Sequence, residues 1–184
     1  ANTTDRKTDH DNHTTDGECS GIVYVHKREE TSMIARAIAK QGITAAAYHA
    51  GLKKADRLAV QEGWSTGTIQ VAVATVAFGM GIDRHCVRYV VHWCLPKSIE
   101  GFYQEAGRAG RDGRPSHSRL YYSPDDVGKF KYLIRMQQSS SSSAGKNTDT
   151  AAAAQRNMER KLEQLEEMQE YCTQLKCRRN TLIS

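Results

Sequence analysis

The sequence contains no apolar run long enough to cross a membrane, because nowhere do about 18 apolar residues follow one another. Residues 1–18 also lack the basic start and the apolar stretch of a secretory signal peptide. Cysteine is scarce, and its irregular positions, 19, 86, 94, 172 and 177, do not form the pattern of a secreted disulfide framework. These absences exclude a membrane-spanning or disulfide-stapled protein and favour a reducing compartment.

A phosphate-binding loop of the form GxxxxGK(S/T) is also missing. The nearest stretch, AGKN at residues 144–147, has Asn where Ser or Thr is required and lacks the earlier glycine. No apolar strand precedes it. The stretch therefore does not predict a nucleotide site.

The chain of 184 residues carries a formal net charge of +5, which is compatible with nucleic-acid or nucleotide partners. Its length suits one ordinary domain with additional segments. Composition divides it into four parts. These are a polar linker or arm at 1–18, a domain at 19–136, a Ser-rich low-complexity tether at 137–151, and a charged helix at 152–184.

Strand and helix patterns alternate within the domain. Short apolar runs predict strands at 21–25, 43–50, 69–75, 87–93 and 118–122, and helical patterns lie at 30–42, 54–64, 98–107 and 124–138. This alternation predicts an α/β fold with a central parallel sheet flanked by helices, followed by a C-terminal helix. In such sheets ligands bind beyond the carboxyl ends of the strands.

Three of the predicted helices have an apolar face at helical spacing. We expect the core-facing side chains to be Met33, Ile34, Ala37 and Ile38 in the first, Leu58, Val60 and Trp64 in the second, and Met158, Leu162, Leu165, Met168, Cys172 and Leu175 in the C-terminal helix.

The stretch VAVATVAFGMGID joins a buried strand to a glycine-containing loop. A Thr75 hydroxyl at a strand end can bond a phosphate, and Gly81 lets main chain approach one closely. Asp83 can accept a hydrogen bond from a ribose hydroxyl. The alternative is a tight turn with Asp83 as a helix cap.

Two further polar stretches follow predicted strands. YHAGL offers His49, and HKREE places Lys27 and Arg28 where a strand becomes a helix, a position suited to a nucleic-acid backbone. The alternatives are a hydrogen-bonded structural histidine and a solvated loop whose cations pair with neighbouring glutamates.

The stretch QEAGRAGRDG, residues 104–113, sets two arginines three residues apart among glycines. Like charges repel and glycine adds ordering entropy, so Arg108 and Arg111 together indicate a shared anionic ligand, typically a phosphate chain. The alternative is a solvated surface with pairs such as Glu105 with Arg108 or Asp112 with Arg114.

Taken in order, these stretches resemble the second RecA-like domain of superfamily 2 helicases, and more closely that of the RecQ family of DNA helicases. GIVYVHKREE is similar to motif IV of that family, VAVATVAFGMGID to motif V and YQEAGRAGRDG to motif VI. The resemblance covers about Ser20 to Met136 and resumes near EYCTQLKCRRN.

The resemblance implies a catalytic role for motif VI. Arg111 resembles an arginine finger that reaches ATP held by the first RecA-like domain. Arg108 resembles a second phosphate contact or an interdomain partner, and Gln104 lines the same cleft. Gly81 and Asp83 would contribute to ATP binding, and ATP with Mg²⁺ would be held mainly by the first domain.

The resemblance also implies DNA contacts and a zinc site. Arg28, His49, Thr75 and Lys97 match positions that touch the DNA strand, at junctions of single-stranded and duplex DNA. Cys177 in KCRRN matches the first ligand of a Zn²⁺ site, whereas Cys19, Cys86, Cys94 and Cys172 are expected to be packing thiols.

The implied function is the C-terminal motor domain of an ATP-dependent 3′ to 5′ DNA helicase, acting in nuclear DNA repair and recombination. Since the phosphate loop and the acidic metal-binding motif are missing and no Met begins the chain, we expect a fragment that alone hydrolyses no ATP. The alternatives are a superfamily 2 RNA helicase domain and a non-catalytic nucleic-acid-binding module.

Overall fold

The computed structural model describes residues 20–75, 78, 84, 86–142 and 148–183. The strands are β1 (Ser20–Tyr24), β2 (Ala45–Tyr48), β3 (Val71–Ala74), β4 (Val87–His92) and β5 (His117–Leu120). The helices are α1 (Arg28–Ala39), α2 (Lys54–Thr66), α3 (Ile99–Ala106), α4 (Pro124–Ser142), α5 (Thr148–Thr173) and α6 (Arg178–Ile183). The segment 1–18, predicted as a linker, and Cys19 lie outside these ranges.

The strands form one five-stranded sheet in the order β2-β3-β1-β4-β5. All four neighbouring pairs are parallel, which confirms the predicted parallel sheet. All five residues of the central strand β1 are buried. That burial explains why β1 is a continuous apolar run rather than an alternating one.

One face of the sheet packs against α1. Val23, Val25 and Val73 form a buried cluster there with Ala35, and Ile34 and Ile38 pack against it. The predicted helix face is therefore partly wrong: Met33 is 62% exposed and Ala37 is also exposed. The buried residues of α1 are Thr31 and Ala35, one helical turn apart, and the predicted Ile34 and Ile38 are half-buried beside them.

The opposite face is filled mainly by Trp64 of α2, which is fully buried. Its indole N–H donates to the Gly21 carbonyl at 3.0 Å, and its ring meets Phe78 edge-on with 5.2 Å between centroids. Leu58, predicted to share this core, is 54% exposed. The large indole occupies the space between helix and sheet, so the earlier turn of α2 faces water.

A second apolar cluster joins the domain to the C-terminal helices. Leu95 and Phe102 pack there with Val127 of α4 and with Leu165 and Met168 of α5. The predicted core-facing stripe of the C-terminal helix is thus confirmed in its middle. Leu175 is fully exposed because α5 ends at Thr173, two residues before it.

The Ser-rich stretch is in part helical: residues 137–142 continue α4 and residues 148–151 begin α5. A helix that has already nucleated adds residues at little cost, which explains why the serines extend α4. None of the helices in the described ranges is both long and apolar enough to span a membrane.

Candidate functional site

Three predicted DNA contacts lie at the carboxyl end of the sheet, as the strand order requires. Arg28 follows β1, His49 follows β2 and Thr75 follows β3. A Cβ added to Gly51 would lie 3.1 Å from Nδ1 of His49 and 3.2 Å from Nη1 of Arg28. A side chain at Gly51 would therefore press against both His49 and Arg28, and glycine leaves room for the two side chains there. We call Arg28, His49 and Thr75 the strand-end group.

The backbone places Thr75 next to the end of β2. Its N–H donates to the Tyr48 carbonyl at 3.2 Å, and its own carbonyl accepts from Phe78 N–H at 3.0 Å. Arg28 is exposed, whereas His49 and Thr75 are half-buried. The strand-end group thus combines one exposed cation, Arg28, with two half-buried polar side chains, His49 and Thr75.

Lys97 lies apart from the strand-end group, on the rim of a 460 Å³ cavity between the turn after β1, α4 and α5. Cations outnumber acids around this cavity: Lys27, Lys97, Lys129, Arg160 and Lys161 face Glu30 and Asp126. Lys97, the fourth predicted DNA contact, therefore lies in a mainly basic environment that is separate from the strand-end group.

His26 forms the wall of that cavity nearest the sheet. Its Nε2 lies 2.6 Å from the Leu95 carbonyl, and its ring packs edge-on against Phe130. Burial lowers the pKa of His26, and the charge of Lys97 lowers it further, against the raising effect of the Leu95 carbonyl. His26 is therefore neutral at neutral pH, with its proton on Nε2, because a carbonyl only accepts.

Residues 107–114, here called the arginine loop, follow α3 and are fastened to the start of β4. The Gly110 N–H donates to the Val87 carbonyl at 3.0 Å, and the Gly113 N–H donates to the Gly110 carbonyl at 3.0 Å. Arg88 pairs with the Asp112 carboxylate and donates to the Pro115 carbonyl at 2.8 Å. The loop is thus attached to β4 at its middle and near its C-terminal end.

The carboxylates of Asp112 and Glu105 have partners on β4 that the local sequence did not suggest. The hydrogen bond from Arg88 holds the pKa of Asp112 below its usual value, while Arg114 contributes its backbone N–H to the same carboxylate. Glu105 bonds His92 at 2.9 Å. Both carboxylates tie the loop region to β4.

The two arginines occupy different environments. Arg108 is half-buried and Arg111 is exposed. Burial raises the pKa of Tyr24, and Arg108, through its charge and a side-chain hydrogen bond, lowers it only in part, with a smaller effect from Arg111. Arg108 therefore lies near Tyr24 on the side of the sheet, and Arg111 is the more exposed of the two arginines. Gln104, also exposed, donates to Glu100 at 3.2 Å.

Sequence reasoning missed Tyr24 and His92, and it considered Glu105 only as a partner of Arg108. In the sequence each looks like an ordinary strand or helix residue, and only their contacts in the folded chain distinguish them. The available signal was a histidine at the end of a largely apolar strand. Gly81 and Asp83, predicted to bind ATP, lie outside the described residues.

Cys177 lies just before α6 and is exposed. The backbone N–H groups of Asn180 and Arg179 lower the pKa of its thiol, which favours the thiolate that zinc binds. Within the described ranges there is no group of three or more His, Cys, Asp or Glu side chains able to hold a metal ion. Cys177 thus fits one zinc ligand of a site that needs others.

The remaining described cysteines, Cys86, Cys94 and Cys172, are half-buried. Burial raises the pKa of Cys94 to about 12 and that of Cys172 to about 11. Both are therefore protonated at neutral pH, as expected for packing thiols.

Replacing Gly110 by alanine is expected to destabilise the chain by about 1–3 kcal/mol. Gly110 has φ +68°, and a Cβ there would lie 2.5 Å from Oγ of Ser116 and 3.1 Å from the Arg114 carbonyl. The matched control is Gly113→Ala, because Gly113 has φ +75° but no atom within 4 Å of a built Cβ. Urea unfolding gives the loss in unfolding free energy for each variant, and the difference between the two losses is the steric cost of a Cβ at position 110. Equal losses in the two variants would contradict this prediction.

Two families match this chain. Residues 9–113 match "Helicase conserved C-terminal domain", and residues 124–184 match "RecQ zinc-binding".

Curated relatives are similar over most of the chain. ATP-dependent DNA helicase Q5 of Mus musculus is 50% identical over 64% of this chain and 12% of its own length. RecQ-like DNA helicase BLM of Xenopus laevis is 51% identical over 67% of this chain and 9% of its own length. ATP-dependent helicase SGS1 of Saccharomyces cerevisiae is 39% identical over 90% of this chain and 11% of its own length. The matched part of this chain thus corresponds to about a tenth of the length of each of these relatives.

Solved structures share the fold. The Escherichia coli DEAD-box protein SrmB, bound to regulator of ribonuclease activity A, has a TM-score of 0.52 and 26% identity, covering 60% of this chain and 69% of that one. The C-terminal domain of the DEAD-box protein Dbp5 has a TM-score of 0.52 and 19% identity, covering 64% and 69%. These neighbours confirm the predicted RecA-like fold.

Proposed function

Since this chain belongs to the RecQ family of superfamily 2 helicases, as part of their C-terminal region, we propose that it is the second motor domain of an ATP-dependent DNA helicase. The observation that carries the proposal is the arginine loop, which is fastened to β4 yet leaves Arg111 exposed. A fixed backbone with an exposed guanidinium suits a cation that must meet a phosphate on another domain.

The chemistry proposed for this loop is stabilisation of charge during phosphoryl transfer. A guanidinium that contacts the terminal phosphate neutralises the charge that spreads over its oxygens in the transition state. Arg111 acts as the arginine finger in this proposal, and Gln104 and Arg108 line the same cleft. The triphosphate and Mg²⁺ are held mainly by the first RecA-like domain, with Gly81 and Asp83 contributing from this one.

The strand-end group and Lys97 are proposed to hold the DNA backbone. Arg28 and Lys97 are exposed cations, and His49 and Thr75 supply further hydrogen-bonding groups in the strand-end group. Such contacts position a strand without reading its sequence. Closing of the cleft on ATP and reopening after hydrolysis would then move the strand across this edge of the sheet.

Zinc binding is proposed for the full-length protein, with Cys177 as one ligand. The match of residues 124–184 to the RecQ zinc-binding family and the lowered pKa of the exposed thiol support it. Zinc would supply a structural crosslink there.

The wider role is proposed from family membership. A helicase of this family would move 3′ to 5′ on junctions of single-stranded and duplex DNA, in nuclear repair and recombination.

The test is an unwinding assay with the full-length protein on three duplexes of one sequence: 3′-tailed DNA, 5′-tailed DNA and tailed RNA. We expect ATP-dependent unwinding of the 3′-tailed DNA alone. Equal or faster unwinding of RNA would favour the RNA helicase alternative. Tight DNA binding without any unwinding or ATP turnover would identify a non-catalytic module.

A further inference from the structure

We infer that Tyr24, His92 and Glu105 form a positioning cluster that sets the orientation of the arginine loop. The inference rests on the proposed function of Arg111 and extends it to residues of the sheet and α3. None of the three lies in the arginine loop. They come from the ends of β1 and β4 and from the last turn of α3.

The first link of the cluster joins α3 to the sheet. Nε2 of His92 lies 2.9 Å from Oε2 of Glu105, and the side chains are 2% and 12% exposed. A carboxylate only accepts, so Nε2 carries the proton of this bond. Because Glu105 is the penultimate residue of α3, the bond fixes the point from which the arginine loop departs.

The second link joins the sheet to the loop. The Tyr24 ring stacks on His92 with 5.3 Å between centroids and an interplanar angle of 23°. Its hydroxyl donates to the Phe78 carbonyl at 3.1 Å, and the charge of Arg108 acts on the same hydroxyl. Arg108, three residues after Glu105, is half-buried and its Nε is enclosed, beside the same stacked pair of rings.

Together the two links close a path from Glu105 through His92 and Tyr24 to Arg108. Packing against Phe102 of α3, whose ring centroid is 5.0 Å from that of His92, restrains the histidine. A glycine-rich loop has many backbone conformations available, and a long arginine has many rotamers. Fixing Arg108 from the side facing the sheet leaves Arg111, three residues on, with fewer orientations.

A buried polar cluster is a poor device for stability alone, because removing polar groups from water offsets much of what their bonds contribute. A positional role explains its presence better. A catalytic group displaced by about 1 Å can lose roughly a hundredfold in rate. The cluster is therefore expected to act on the turnover number and to leave the affinity for ATP nearly unchanged.

The test uses the full-length protein with Tyr24→Phe and, separately, Glu105→Gln, each of which keeps the shape of the side chain. We expect kcat for DNA-stimulated ATP hydrolysis to fall roughly tenfold to a hundredfold, with KM for ATP changed less than about twofold. The matched control is Tyr89→Phe, because Tyr89 lies on β4, is 50% exposed and stacks on His117. Its kcat should equal that of the wild type.

A double-mutant cycle separates positioning from a merely structural effect. In an Arg111→Ala background, measured by single turnover, Tyr24→Phe should cause little further loss, because the group it orients is gone. Losses that multiply would overturn the inference, as would a Tyr24→Phe enzyme with wild-type kcat. In both cases a low rate for Arg111→Ala alone leaves the proposed function standing. If Arg111→Ala keeps the wild-type rate, the proposed function and the inference both fall.

Discussion

Replacing Arg111 by alanine in the full-length protein is expected to lower DNA-stimulated ATP hydrolysis by about a thousandfold or more. The exposed guanidinium is proposed to meet charge that develops only in the transition state, so its loss acts on kcat rather than on ground-state binding. Steady-state ATPase assays at saturating DNA measure the effect. DNA affinity should remain close to that of the wild type, because the strand-end group is unchanged.

Two companion variants sharpen this experiment. Arg111→Lys keeps the charge but replaces the planar fork of donors by a single ammonium group, so most of the loss should remain. Arg114→Ala removes another exposed arginine of the same loop, which has no assigned contact to ATP, and should stay within a few-fold of the wild-type rate. Equal losses at Arg111 and Arg114 would instead indicate a general electrostatic effect of the loop.

Replacing Trp64 by alanine is expected to destabilise the chain by about 3–5 kcal/mol. Trp64 is 0% exposed, and its removal leaves a large cavity between α2 and the sheet. It also leaves the Gly21 carbonyl without the indole N–H that it accepts at 3.0 Å. Since a domain of this size has only about 5–15 kcal/mol in total, a large part of its stability would be lost.

The matched control is Trp93→Ala, in a side chain that is 51% exposed and touches the Tyr121 ring at 5.3 Å between centroids. That change should cost less than about 1 kcal/mol. Urea unfolding of the 184-residue chain, followed by circular dichroism, gives both values. Similar losses for the two tryptophans would show that the core is not organised around Trp64.

Strands β1 to β4 could be predicted because each contains a short, mainly apolar run that ends at polar residues. Burial on both faces makes residues 21–25 a continuous apolar run, whereas residues 87–93 indicated a strand although Tyr89 and Trp93 are about half exposed. The location of the strand-end group followed from the same pattern, since the carboxyl ends of parallel strands meet at one edge. Arg28 and His49 both lie close to Gly51, in agreement with this prediction.

The buried faces of the helices were predicted less well. Met33 and Leu58 lie at suitable helical spacing but are exposed. A helix with apolar side chains at several positions can bury any of several faces, so the spacing alone does not identify the buried face. The size of Trp64 and the line through Thr31 and Ala35 decide which side is covered. Those are properties of the assembled core and not of either helix alone.

The sequence by itself determined the α/β class, the parallel sheet, the family and the pair of arginines, because each is written in residues close together in the chain. Only the tertiary structure decided that Arg108 is half-buried near Tyr24 while Arg111 is exposed, and that Glu105 pairs with His92. These contacts join strands and helices far apart in sequence. The energies of these contacts depend on the burial of the groups and on the distances between them, and neither can be read from the sequence alone.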